Sequence, residues 1–220
     1  MNPYARLPTT LFWALALLAS SELSAQGLIP NTSMYMGLGT GDSKARIDGG
    51  RIQNGLRNEG LSTNGLTEDK DDIGYKVYLG FPIHPNWAVE TGYFDLGRFG
   101  FGADTTPLGS LTGSARIRGL NLDLVGTLPV TDRWSVMGRV GAAYAQTQDH
   151  FSGTGAVLVT DPSPSRREIN YKFGFGTQYA FTPALSIRLE AERYRVNDAV
   201  GSHGDVDLYT LGLVYRSVGP

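Results

Sequence analysis

Tyr171-Lys172-Phe173-Gly174-Phe175-Gly176-Thr177-Gln178-Tyr179-Ala180-Phe181-Thr182-Pro183-Ala184 is the stretch that decides the fold. Its odd positions from 171 to 181 carry aromatic rings and one threonine. Its even positions from 172 to 180 carry a charge, an amide, glycine or alanine. Side chains that alternate with period two lie on opposite faces of a β-strand. The alternation stops at Thr182-Pro183-Ala184, a short run with turn chemistry.

The same parity recurs along the chain. Ile73, Tyr75, Val77, Leu79 and Phe81 oppose Gly74, Lys76, Tyr78 and Gly80. Leu120, Leu122, Leu124, Gly126 and Leu128 oppose Asn121, Asp123, Val125 and Thr127. Tyr209, Leu211, Leu213 and Tyr215 oppose Thr210, Gly212, Val214 and Arg216. Eight strands are read in all: Ser33–Gly41, Ile73–Phe81, Trp87–Arg98, Arg116–Leu128, Trp134–Ala145, Ile169–Phe181, Leu185–Arg195 and Val206–Arg216. Their connections alternate in length. Pro82–Asn86, Pro129–Arg133 and Thr182–Ala184 are short. Asp42–Asp71, Phe99–Ala115, Gln146–Glu168 and Asn197–Asp205 are long. Short turns on one side and long loops on the other are the pattern of an outer-membrane barrel.

A soluble half-buried sheet alternates in the same way. The loop asymmetry, the aromatics and the N-terminus favour lipid. Arg6 precedes the apolar run Leu11–Ala19, and the small residues Ser21, Ser24 and Ala25 follow. This reads as a signal peptide over residues 1–25, with the barrel domain over 26–220. The run falls short of the about 20 apolar residues a helical span needs. The expectation is an all-β, eight-stranded, antiparallel up-and-down transmembrane β-barrel in the outer membrane, both mature termini periplasmic.

Composition agrees. The chain has no cysteine, so it holds neither a disulfide nor a thiolate metal site. Its net charge of −2 provides no basic field for nucleic acid. Mean hydropathy of −0.17 opposes a helical membrane protein but not a barrel, where only alternate residues meet lipid.

Trp87 and Trp134 follow short turns, Tyr179 precedes one, and Tyr144, Tyr171 and Tyr209 stand near long loops. Rings at both strand ends read as interfacial girdles. On the polar parity stand Lys76, Glu90, Asp123, Arg139, Lys172, Arg188, Glu190 and Glu192, four bases and four acids. A barrel of about eight strands has an interior just wide enough for side chains to fill. Charges removed from bulk water persist when they pair. These eight are therefore read as a cross-lumen ion-pair network that leaves a narrow or closed pore. Glu190 and Glu192, two apart on one strand, read as part of that network rather than as an acid–base couple.

Arg116, Arg118, Arg167, Arg193 and Arg195 share the outward parity near the long-loop ends. They are candidates for contact with lipopolysaccharide phosphates, since arginine suits phosphate. Ordinary solvated rim charge is the competing reading. The first long loop repeats Gly-Leu at 55, 60 and 65, which reads as flexible coil. Glu68, Asp69, Asp71 and Asp72 lack the spacing of a calcium loop. The three histidines lack metal-ligand spacing, so no metal or cofactor is expected.

Several segments resemble the transmembrane domain of the outer membrane protein A family. They are Gly92-Tyr93-Phe94-Asp95-Leu96-Gly97-Arg98, Leu128-Pro129-Val130-Thr131-Asp132, Tyr179-Ala180-Phe181-Thr182-Pro183, Arg188-Leu189-Glu190 and Leu211-Gly212-Leu213-Val214-Tyr215-Arg216. The resemblance implies an eight-stranded outer-membrane barrel inserted by the barrel assembly machinery. In that family a lumenal gate uses two acids and two bases. The resemblance puts Glu90 and Arg188 at one acid and one base position, with Val125 and Gln178 at the others. The alternative pairing of such a gate is then absent. The chain stops at Pro220, so the peptidoglycan-binding domain of longer members is expected to be missing. Ser217-Val218-Gly219-Pro220 follows Tyr215 where family strands often end on an aromatic.

His150-Phe151-Ser152 is weakly similar to the His-x-Ser element of lipid A deacylase barrels, with Gly153 where their Asn follows. It is read as lying in a loop, and no catalytic residue is assigned. The expected function is structural or surface-interacting, with lipid and lipopolysaccharide as environment and a host or cell-surface ligand on the long loops. A lipid A-modifying enzyme and a small-solute porin are the alternatives.

Overall fold

Alternating apolar and polar residues produce nine strands in the computed structural model, which describes residues 33–46, 49–58, 60–106, 108–155, 157, 162–197 and 203–217. The signal-peptide reading lies outside them. The strands are β1 (Tyr35–Ala45), β2 (Ser62–Asp69), β3 (Asp71–His84), β4 (Trp87–Thr106), β5 (Gly109–Pro129), β6 (Trp134–Gly155), β7 (Ser165–Ala180), β8 (Leu185–Asn197) and β9 (His203–Arg216). One helix, α1 (Gly49–Asn58), lies between β1 and β2. No helix among the described residues is long and apolar enough to cross a membrane.

All pairings are antiparallel. The ring runs β1–β3–β4–β5–β6–β7–β8–β9 and closes through β9 and β1, from Tyr35↔Arg216 to Ala45↔Val206. Eight strands therefore form a closed wall with no free edge along their shared length. The ninth, β2, extends that wall. It pairs with the far half of β4, from Ser62↔Thr106 to Asp69↔Gly100, while β3 pairs with the near half, from Tyr75↔Asp95 to His84↔Trp87.

The tight turns cap themselves. Thr131 Oγ1 accepts the Trp134 N–H at 3.0 Å, and Thr182 Oγ1 accepts the Leu185 N–H at 3.0 Å. A threonine opening the turn thus satisfies a backbone donor that no ladder reaches. In the third turn Asn86 Nδ2 donates to the Thr127 carbonyl at 2.9 Å.

The strands run further than sequence alternation indicates. Phe99–Ala115 is no loop, because β4 continues to Thr106 and β5 starts at Gly109. Gln146–Glu168 is likewise mostly strand, with β6 reaching Gly155 and β7 starting at Ser165. Asp42–Asp71 holds the end of β1, α1 and β2; of the Gly-Leu pairs there, Gly55-Leu56 falls on this helix and Gly65-Leu66 on this strand, while Gly60-Leu61 lies between them. At the opposite end β3 extends through Pro82 to His84, leaving only residues 85 and 86 as turn. About 9–11 tilted residues cross a bilayer. Strands β4, β5 and β6, at 20, 21 and 22 residues, therefore project well beyond it on the long-loop side.

The side-chain pattern inverts along the wall. Near the short turns the outside is apolar, with Leu122, Leu124, Val136, Val140, Phe173, Phe175, Leu189, Leu211 and Leu213 exposed. Further along the same strands the apolar residues move inside. Phe94, Leu96, Phe99, Ile117, Tyr194, Val196, Val206 and Leu208 form one buried cluster. On β4 a bulge between Asp95 and Gly97 helps make this change. Gly97 has φ of +89°, a conformation glycine adopts without strain, and its N–H is accepted by Asp95 Oδ1 at 3.0 Å. The inward parity passes from Phe94 and Leu96 to Phe99 across it. Water on both sides favours apolar-in packing, and lipid outside favours the reverse. The inversion therefore marks one membrane boundary.

Candidate functional site in the barrel lumen

The lumen is filled in layers. Nearest the short turns, Tyr35 and Tyr78 lie buried with Ala88 and Val214. Their rings fit because glycines face them. A Cβ at Gly80 would stand 2.1 Å from the Tyr35 ring, and one at Gly37 would stand 2.2 Å from Tyr78. Arg188 rests against both rings, 5.5 Å from the Tyr35 centroid and 5.1 Å from that of Tyr78.

Above these rings, the structure brings together Lys76, Glu90, Asp123, Arg139, Lys172, Arg188, Glu190 and Glu192, all buried. Arg188 Nη1 donates to Glu90 Oε1 at 2.8 Å, and Tyr35 Oη donates to the same oxygen at 2.7 Å. Strands β4 and β8 stand opposite each other in the ring of eight, so this pair spans the lumen. Arg139 on β6 is the hub. It lies 2.9 Å from Glu90, 3.2 Å from Asp123 and 3.0 Å from Glu192, and also contacts Glu190. Lys172 bridges Asp123 at 2.8 Å and Glu192 at 2.9 Å, and Lys76 contacts Glu190 and Glu192. Each acid meets at least two cations, which offsets the repulsion among like charges packed together in low dielectric.

Gln178 and Val125 occupy their own places in this layer. Gln178 Oε1 accepts from Arg188 Nε at 3.0 Å, whereas Val125 is buried opposite Arg139 in the β5–β6 register.

Beyond the charges lies the apolar cluster, which parity alone did not single out. Phe94 on β4 and Tyr194 on β8 meet across the lumen with ring centroids 4.7 Å apart. Tyr194 Oη donates to Glu192 Oε2 at 2.7 Å, joining the two layers. The signal was present: Phe94 shares parity with Glu90, and Tyr194 shares parity with Arg188, Glu190 and Glu192.

Outside, Trp87, Trp134 and Tyr179 are exposed beside the short turns, and Tyr144, Tyr171 and Tyr209 are exposed near the inversion. The five outward arginines are not equivalent. Arg193 is held by Asp207 at 2.6 and 2.8 Å, Arg195 by Asp205 at 3.1 Å and Arg116 by Asp95 at 2.6 Å. Among the described residues Arg118 reaches the Gln148 side chain, at 3.4 Å, and Arg167 is exposed. His150 and Ser152 lie on strand β6 rather than in a loop. The His150 ring bonds Ser163 Oγ at 3.1 Å.

A closed ring of eight strands, apolar outside and charged within, is the geometry on which comparison with known proteins bears. Residues 30–219 match the family model described as the OmpA-like transmembrane domain. This chain belongs to that family. Outer membrane protein A of Shigella flexneri is 26% identical over 159 residues, covering 71% of this chain and 43% of that protein. Outer membrane protein P5 of Haemophilus influenzae is 26% identical over 224 residues, covering 94% of this chain and 60% of that protein. The chain thus spans about half the length of the curated relatives it matches. Among solved structures, Neisserial surface protein A aligns with a TM-score of 0.51 at 8% identity, over 84% of this chain and 97% of that one. That likeness speaks for the fold alone. As an OmpA-like barrel, the chain takes its place among outer-membrane proteins and the lipid that surrounds them.

Proposed function

We propose that this OmpA-like barrel serves the outer membrane as a closed structural and surface-contact element rather than as a solute channel. The observation that carries the reading is the double occlusion of the lumen. Phe94 and Tyr194 touch across it beside a layer in which Glu90 and Arg188 also span it. Porins with aqueous channels have about 16–18 strands, twice the number here. Purified protein in planar bilayers is expected to give no steps of porin size, and large stable steps would overturn the proposal.

The working surface is then the part of the wall that projects past the inversion. The β4–β5 and β6–β7 hairpins, with β2 and α1 beside them, offer it to a host or cell-surface ligand. Insertion would pass through the barrel assembly machinery, and both mature termini would be periplasmic. This orientation has a direct test, helped by the absence of native cysteine. A membrane-impermeant thiol reagent on intact cells should label Asn58→Cys and Gly155→Cys but not Asn86→Cys. Labelling at position 86 from outside would reverse the orientation.

A further inference from the structure

The wall above the apolar band is electrically one-sided. On the β8–β9–β1 side the outward arginines are engaged by carboxylates: Arg193 and, at 3.4 Å, Arg46 just past β1 share Asp207, and Arg195 is held by Asp205. On β4 to β7 Arg116 is held by Asp95, but Arg98, Arg118 and Arg167 have no such partner among the described residues. Arg98 pairs directly with Arg116 in the β4–β5 register, and like charges placed opposite each other destabilise a sheet. Next to them in outward parity, Arg118 of β5 is followed by Gln146 of β6 and Arg167 of β7 in a single cross-strand row. Adjacent strands are about 4.8 Å apart, so Arg118 and Arg167 bracket a gap of about 10 Å floored by an amide.

Asp95 stands opposite Arg118 in the β4–β5 register, and Asp72 lies beside Arg98. Asp95 is taken by Arg116, and Asp72 accepts the backbone N–H groups of Ile73 at 2.8 Å and Arg98 at 2.6 Å. Among the described residues, no carboxylate pairs with the Arg98, Arg118 or Arg167 side chain. One residue pair nearer the short turns, the same face becomes apolar in the register row Tyr93↔Leu120↔Tyr144↔Ile169, with Leu120, Tyr144 and Ile169 exposed.

We infer that the β4–β7 face is a binding site for a phosphorylated glycolipid of the outer leaflet, that is, lipopolysaccharide. Its phosphates sit on Arg98, Arg118 and Arg167, and its acyl chains lie along Leu120, Tyr144 and Ile169. An anion on Arg98 offsets the repulsion it meets from Arg116. Arginine presents a fork of donors to phosphate, and Gln146 and Gln148 supply neutral donors for sugar and phosphate oxygens. The β8–β9 face, whose guanidiniums are already engaged by carboxylates, does not bind it. The inference rests on the proposed orientation, in which the projecting wall faces the outer leaflet.

The test uses the mature chain in bilayers of defined lipid, with retention of labelled lipopolysaccharide as the readout. Wild type and Arg193→Gln/Arg195→Gln should retain it equally. Arg98→Gln/Arg118→Gln/Arg167→Gln should bind about tenfold more weakly or worse, the least that loss of one charge-assisted contact implies. Lipopolysaccharide stripped of its lipid A phosphates should bind all three forms weakly. Should the triple variant fail to assemble, Arg118→Gln alone should give a partial loss. Unchanged retention by the arginine variants, or equal loss in the β8 control, would overturn the site. Complete displacement by inorganic phosphate would reduce it to an anion patch and overturn the lipid assignment. Surface labelling of Asn58→Cys separates this failure from a failure of orientation. Labelled outside with retention unchanged, only the glycolipid site is lost.

Discussion

Arg139→Met is expected to lower the unfolding free energy of the barrel by about 3–5 kcal/mol, the usual effect of removing one partner from a buried charge cluster. The side chain is 2% exposed and reaches Glu90, Asp123, Glu190 and Glu192. Without it, four acids share Lys76, Lys172 and Arg188, and one carboxylate is left uncompensated where no bulk water reaches it. Methionine has a similar length and no charge, so the loss reports electrostatics more than packing. Urea unfolding from lipid vesicles measures it. Arg139→Met/Glu90→Gln rebalances the layer and should recover part of the loss. A single variant within about 0.5 kcal/mol of wild type, the range of ordinary surface changes, would mean that the hub does not hold the layer together.

Phe94→Ala is expected to cost about 3–5 kcal/mol, typical of an aromatic truncated in a packed interior. The ring is fully buried and meets Tyr194 from the opposite strand, so nothing on its own side can collapse into the gap. Tyr194→Phe keeps that ring contact and gives up the hydrogen bond to Glu192, for a smaller loss of about 1.5–3 kcal/mol. The conductance expectation follows from two closures in series. Phe94→Ala alone should remain without porin-sized steps, because the charge layer still spans the lumen. Phe94→Ala/Arg139→Met should show a measurable rise in ion flux. Wide steps from Phe94→Ala alone would show that the charge layer is no barrier.

Much of this was legible in the linear chain. The alternation in Tyr171–Phe181 and Leu120–Leu128 sorted side chains onto two faces because lipid and lumen make opposite demands on neighbouring residues. The extension of β4 through β6 was not legible. Gly100, Gly102, Ser110, Thr112 and Gly113 have turn-like composition, yet each continues a ladder already in register. Pairing with a preformed neighbour outweighs weak local propensity. Strand β2 was missed for the same reason, since its partner is the projecting half of β4.

The sequence by itself determined the strand periodicity, the capped tight turns and the stock of four bases and four acids, because these depend on neighbours a few residues away. Only the tertiary structure decided which charges meet. It let Arg139 gather Glu90, Asp123, Glu190 and Glu192 from strands far apart in sequence, whereas the Glu90–Arg188 pair, 98 residues apart and joined because closure sets β4 opposite β8, was expected from the family resemblance. It alone closed the lumen with Phe94 and Tyr194, after the environment outside the wall changed from lipid to water. It also divided five similar arginines, since Asp205, Asp207 and Asp95 reach Arg195, Arg193 and Arg116 only across strand seams. Cross-strand partners are set by register and closure, which no local stretch of chain encodes.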